Sequence, residues 1–92
     1  MERGRRALQR LTGGNCNTVS VFIAVADADR SGANTAALAA ASDLSEATVR
    51  GGIIILKSRG LVEGIAIGIR SRVWVLTRHG RASIVALVTA LQ

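Results

Sequence analysis

The chain has 92 residues, enough for one small hydrophobic core and too few for two. Twelve Lys and Arg against six Asp and Glu give a formal net charge of +6, and all of these cations except Lys57 are arginine, which favours a nucleic-acid partner over a membrane surface. The single cysteine, Cys16, excludes an intramolecular disulfide, and two aromatic residues, Phe22 and Trp74, are too few for single-strand recognition by base stacking.

Residues 1–14 read as a basic arm or short helix, with Leu8 and Leu11 as its large apolar side chains and Gly13-Gly14 as a breaker. Arg3, Arg5 and Arg6 lead into polar residues and not into an apolar stretch, so no cleavable leader is expected and the chain reads as cytoplasmic. After Asn15 and Asn17, Val19, Phe22, Ile23 and Ala26 recur at helical spacing and predict a helix with these residues on one inward face. Val21 and Val25 fall on the other side, so this helix is expected to need cover on two faces, the second from a partner subunit. Its apolar run, Val19 to Ala26, is far short of the roughly 20 residues of a membrane span.

The polar stretch Asp27 to Gly32 ends that helix, and Asn34 or Thr35 then caps a short alanine-rich helix running through Leu38 and Ala39 to about Ser42. After the turn Ser42-Asp43-Leu44, Ser45 caps a third helix, with Val49, Ile53 and Leu56 on one face, that stops before Gly60. From Leu61 the pattern changes. Leu61 to Ile67 and Val73 to Leu76 are rich in β-branched residues and bracket the tip Gly68-Ile69-Arg70-Ser71-Arg72, which predicts a hairpin with Trp74 and Leu76 on one side and Val73 and Val75 on the other. A last helix, Arg78 to Gln92, carries Ile84, Leu87, Val88 and Leu91 as a narrow apolar stripe.

Helix, short helix, tight turn, helix and basic-tipped hairpin, in that order, define a mainly α fold with a small β-hairpin (α+β): a winged helix-turn-helix. The residues resemble the winged helix-turn-helix regulators of the MarR and ArsR type at Leu38-Ala39, Leu44-Ser45, Thr48-Val49, Leu56, Arg59-Gly60-Leu61-Val62-Glu63, Arg72, and Leu76-Thr77 followed by Gly80. That resemblance covers roughly Asn15 to Arg81. It implies a double-stranded DNA-binding transcriptional regulator, a repressor, with a three-helix core and wing over residues 15–77 and a C-terminal helix over 78–92 for dimer contact. It further implies that Arg70 and Arg72 lie against the phosphate backbone or in the minor groove, with Ser71 between them on the wing, residues 68–72.

Independently of the resemblance, a recognition helix needs one face in the core and the other free for the major groove, and residues 45–59 divide that way. At about 100° per residue Val49, Gly52, Ile53 and Leu56 point inward, while Glu46, Ala47, Arg50, Gly51, Ile54 and Lys57 point outward. Arg50 suits guanine and Ala47 or Ile54 a thymine methyl. Ser45 and Thr48, at the helix start, suit phosphate. The outward face is nevertheless poor in hydrogen-bonding side chains, and Gly51-Gly52 costs on the order of 1 kcal/mol per glycine inside a helix. Those glycines would allow close approach to DNA or to the second helix. Sequence preference is therefore expected to be modest, which keeps open an architectural or plasmid-maintenance DNA binder of low specificity, and a winged helix used for protein contact.

Cys16 and His79 are the only soft metal ligands, so no metal site and no cofactor are expected. Oxidant-sensing members of the resembled family carry a lone cysteine near the N-terminus as Cys16 is; the plainer reading of Cys16 is a small thiol without a role. The carboxylates Glu2, Asp27, Asp29, Asp43, Glu46 and Glu63 are scattered without a nucleophile, base and orienter set, so no enzyme is expected. A homodimer is expected, since the family pairs through terminal helices and a small core gains from burial against a second copy; Leu8, Leu11, Val21, Val25, Ile84, Leu87, Val88 and Leu91 are its expected contacts.

Overall fold

A computed structural model describes residues 6, 9–12, 16–28, 31–69 and 71–91. Arg6 and residues 9–12 are helical. Then follow α1 (Cys16–Ala28), α2 (Thr35–Ser42), α3 (Glu46–Ser58), β1 (Val62–Ala66), β2 (Arg72–Leu76) and α4 (Arg78–Leu91). Among the described residues no helix is long and apolar enough to cross a membrane.

The first helix is the centre of the core. It buries Thr18, Val19, Val21, Phe22, Ala24 and Val25, which at about 100° per residue covers an arc of roughly 220°. This corrects the expectation for two faces. Val21 and Val25, assigned to a partner subunit, are both 0% exposed within the single chain, whereas Ile23, expected inside, is 42% exposed. The cover comes from α2, α3 and β2, which all pack on α1. A close approach of α3 is made at Gly52, where a Cβ would stand 3.0 Å from Val21 Cγ2 and 3.7 Å from Thr18 Cα. The glycine that weakens α3 as a helix thus brings α3 against α1, and not against α2.

Both helices of the turn begin on side-chain caps. Asn34 Oδ1 accepts from the Ala37 N–H at 2.8 Å, and Ser45 Oγ accepts from the Thr48 N–H at 3.1 Å. Between them Asp43 adopts φ 58°, a left-handed conformation that a short carboxylate side chain tolerates, and this reverses the chain in one residue. Leu38 is the one buried residue of α2, while α3 buries Val49, Gly52, Ile53 and Leu56 as its spacing predicts.

The hairpin pairs antiparallel with Val62 opposite Leu76 and Ala66 opposite Arg72. Just beyond the polar stretch, Ala33 adds an isolated antiparallel bridge to the two-stranded sheet: Ala33 and Trp74 exchange hydrogen bonds of 3.2 and 2.8 Å. Gly32, at φ +72°, makes this possible, because a Cβ there would meet Val73 and Val75 at 2.9–3.0 Å. At the other end Thr77 caps α4. Its Oγ1 accepts from the Gly80 N–H at 2.9 Å and donates to the Gly60 carbonyl at 2.5 Å, tying the end of the hairpin to the end of α3. Leu11 and Ile84, expected at a dimer contact, are partly buried against the chain's own core. Leu8 and the side chains of Leu87, Val88 and Leu91 lie outside the described residues.

Candidate nucleic-acid interface

Helix α3 enters the core along one stripe and leaves Glu46, Ala47, Arg50, Gly51, Ile54 and Lys57 exposed on the other. The cap links Ser45 and Thr48 more tightly than their spacing alone conveys: their hydroxyl oxygens are 2.8 Å apart, in addition to the cap bond. One hydroxyl hydrogen is spent between them, so the pair retains one to offer an acidic oxygen.

Trp74 joins α3 to the wing. It lines a groove of about 250 Å³ with Thr35, Arg50, Ile53, Ile54 and Lys57. It also lines a second, of about 400 Å³, whose other walls include Asn34, Glu46, Ile67, Ser71 and Arg72. Thr35 borders both grooves, so the start of α2, the outward side of α3 and the flank of the wing share one continuous surface. Sequence reasoning missed Asn34 and Thr35 as parts of this surface. Their signal was available, since an Asn-capped helix start presents unpaired backbone N–H groups, which favour anions.

On the wing, Arg72 is held by its neighbours. A Cβ at Gly64 would stand 2.5 Å from Arg72 Cδ and 2.9 Å from Trp74 Cζ3, so the absent side chain leaves room for the Arg72 stem to lie across the sheet. The guanidinium carbon sits 6.0 Å from the Trp74 ring centroid, within cation-π range. Arg70 lies outside the described residues, and Ser71 is exposed. Charge on the C-terminal third of the chain is one-sided. From Gly64 to Gln92 there is no Asp or Glu, whereas Arg70, Arg72, Arg78 and Arg81 all fall there. Glu46 is the exception on the shared surface, at the first turn of α3, where a negative charge complements the helix dipole.

Among the described residues no three His, Cys, Asp or Glu side chains gather into a metal site. Cys16 is exposed, with the Gln9 side-chain amide 3.5 Å from its sulfur.

No protein-family model matches this chain, and no curated protein does. Solved structures match it over nearly its whole length. The complex of MepR from S. aureus with DNA superposes with a TM-score of 0.79 at 15% identity, covering 97% of this chain and 73% of that one. A MarR-family transcriptional regulator from Silicibacter pomeroyi gives a TM-score of 0.72 at 22% identity, over 97% of this chain and 62% of the other. BpsR of Bordetella bronchiseptica, described by the regulation of its DNA binding by 6-hydroxynicotinic acid, gives 0.67 at 27% identity, over 92% and 67%. The chain spans about three fifths of the length of several such regulators, 58% in one case. Its fold is therefore the winged helix-turn-helix of MarR-family transcription regulators, at low sequence identity.

Proposed function

We propose, with the MarR-type fold as premise, that this chain is a cytoplasmic transcriptional regulator, acting as a repressor, that binds double-stranded DNA as a homodimer. The observation that carries the proposal is the continuous surface on which Arg50 and Lys57 of α3 and Arg72 of the wing meet around Trp74 and Thr35. In this reading α3 enters the major groove. Arg50 reaches a guanine edge, Ala47 and Ile54 meet thymine methyls, and Gly51 lets the helix backbone come close. Ser45 and Thr48 bind a phosphate beside the start of α3, and Lys57 a second. Arg70, Ser71 and Arg72 hold the adjacent backbone or minor groove.

Pairing would use the terminal helices, through Leu8, Leu11, Ile84, Leu87, Val88 and Leu91. Val21 and Val25 drop out, being enclosed by the chain itself. Two copies would present their recognition helices to half-sites about 34–36 Å apart.

Fluorescence anisotropy of labelled duplexes of about 30 base pairs, titrated from low to physiological salt, tests this. About six phosphate contacts from a dimer predict a log-log salt slope near −5, flattened when Arg70 and Arg72 are both changed to Ala. Weak binding indifferent to salt and to that double substitution would refute the proposal and point to a protein partner. A low-specificity architectural role is favoured by one observation, the exposed Ala47, Gly51 and Ile54 on α3. Equal competition by unrelated duplexes would select it over a sequence-specific repressor.

A further inference from the structure

The wing carries an apolar feature that phosphate contacts leave unexplained. Ile67 is 64% exposed and Ile69 is 102% exposed, the latter at the apex of a loop closed by a hydrogen bond of 3.0 Å from the Ile67 N–H to the Ser71 carbonyl. A scattered exposed isoleucine needs no explanation. Here Ile69 is at the apex of the hairpin loop and Ile67 at its base, in a sequence where arginines 70 and 72 follow and no acidic residue occurs beyond Glu63. A loop kept only for solubility or for phosphate contact would carry polar turn residues at its apex.

The duplex minor groove offers what both parts of this tip require. Its negative potential draws arginine, and the edges of its stacked bases admit an aliphatic side chain between steps. A second wing is a poorer occupant, since two tips of the same positive charge repel. A lipid surface is poorer too, because the exposed isoleucines of the hairpin, Ile65, Ile67 and Ile69, offer far less apolar area than the long apolar face of an interfacial helix.

Building on the DNA-binding reading above, we propose that Ile69, backed by Ile67, enters the minor groove as an apolar wedge that partly unstacks one base step and bends the duplex. Arg72 of the wing holds an adjacent phosphate. The wedge favours pyrimidine–purine steps, which unstack most readily, so the protein draws sequence preference from deformability where α3 has few groups to read base edges.

The test compares the wild-type chain with Ile69→Ser and Ile69→Leu on duplexes rich in TA steps and on A-tract duplexes. End-to-end energy transfer reads bending, permanganate reactivity of thymines reads unstacking, and anisotropy reads affinity. The wild type and Ile69→Leu should bend TA-rich duplexes and expose thymines to permanganate. Ile69→Ser should abolish both and bind about tenfold more weakly, with its salt slope unchanged. Because Ile69 touches no core residue, circular dichroism of the variants should match the wild type. Steep salt-dependent binding with bending and reactivity the same in Ile69→Ser overturns the wedge and leaves the DNA-binding reading standing. Absence of salt-dependent binding to any duplex overturns both. Loss of self-association in Ile69→Ser without DNA, seen by sedimentation, overturns the wedge in favour of a second copy as the occupant.

Discussion

Adjacent glycines in the middle of α3 provide two opposite experiments in one helix. A Cβ at Gly51 would meet nothing within 4 Å, whereas at Gly52 it would stand 3.0 Å from Val21 Cγ2 and 3.3 Å from its Cβ. Alanine in a helix interior is favoured over glycine by about 0.5–1 kcal/mol, since glycine loses more backbone freedom on folding. Gly51→Ala should realise that gain in full and raise Tm by roughly 3–6 °C for a domain of this size. At Gly52 the same gain is set against overlap. Val21 is fully buried and β-branched, so its methyl has no second helical rotamer to turn to, and the Thr18 backbone at 3.7 Å limits how far α3 can tilt. Overpacking of this kind costs about 1–3 kcal/mol, which leaves Gly52→Ala destabilised by up to about 2 kcal/mol. Urea unfolding of both variants, followed by circular dichroism, separates them. Equal stabilisation by the two substitutions would refute the close approach of α1 and α3, and a destabilised Gly51→Ala would refute the open outward face of α3.

The remaining predictions concern the start of α4 and the DNA surface. Gly80→Ala should cost about 3 kcal/mol in chemical unfolding, because the new Cβ would press into the Leu61 carbonyl oxygen, a backbone atom that cannot turn aside as a flexible side chain can. Thr77→Val, nearly the same shape, should cost about 1–2 kcal/mol by removing the cap on Gly80 and the bond to the Gly60 carbonyl. Arg50→Ala should leave thermal stability within about 0.5 kcal/mol, the side chain being exposed, while anisotropy with a preferred duplex shows about 1–3 kcal/mol of lost affinity. Lys57→Ala should weaken all duplexes alike and reduce the salt slope by about one unit per protomer.

Local chemistry made much of this molecule legible from its residues. Asn34 and Ser45 cap helices because their short polar side chains reach back to N–H groups that no carbonyl satisfies, and that requirement is met within four residues. The division of α3 into an inward and an outward side follows from its period, and the hairpin from β-branched runs around a glycine-bearing tip. Resemblance at Leu44-Ser45 and Arg59-Gly60-Leu61-Val62-Glu63 then carried the order of elements to the MarR-type winged helix that the solved structures share.

Tertiary structure alone decided the rest, because those properties depend on which elements stand beside a residue. Period gave α1 two apolar sides and pointed to a partner subunit for the second; Val21 is instead enclosed within the chain, where Gly52, far along the chain, lets α3 approach. Ala33 pairs with Trp74 across a connector whose composition reads as loop, since the partner strand lies forty residues downstream, roughly, and local propensity does not register it. Trp74, expected on one side of the hairpin, is partly buried against the core and also lines the grooves between α3 and the wing, and Gly64 is where the Arg72 stem passes. Residue types and spacing determined the helices, caps and hairpin; close approaches at glycines 32, 52, 64 and 80 determined how they fit, because a missing Cβ acquires meaning only from the atom that occupies its place.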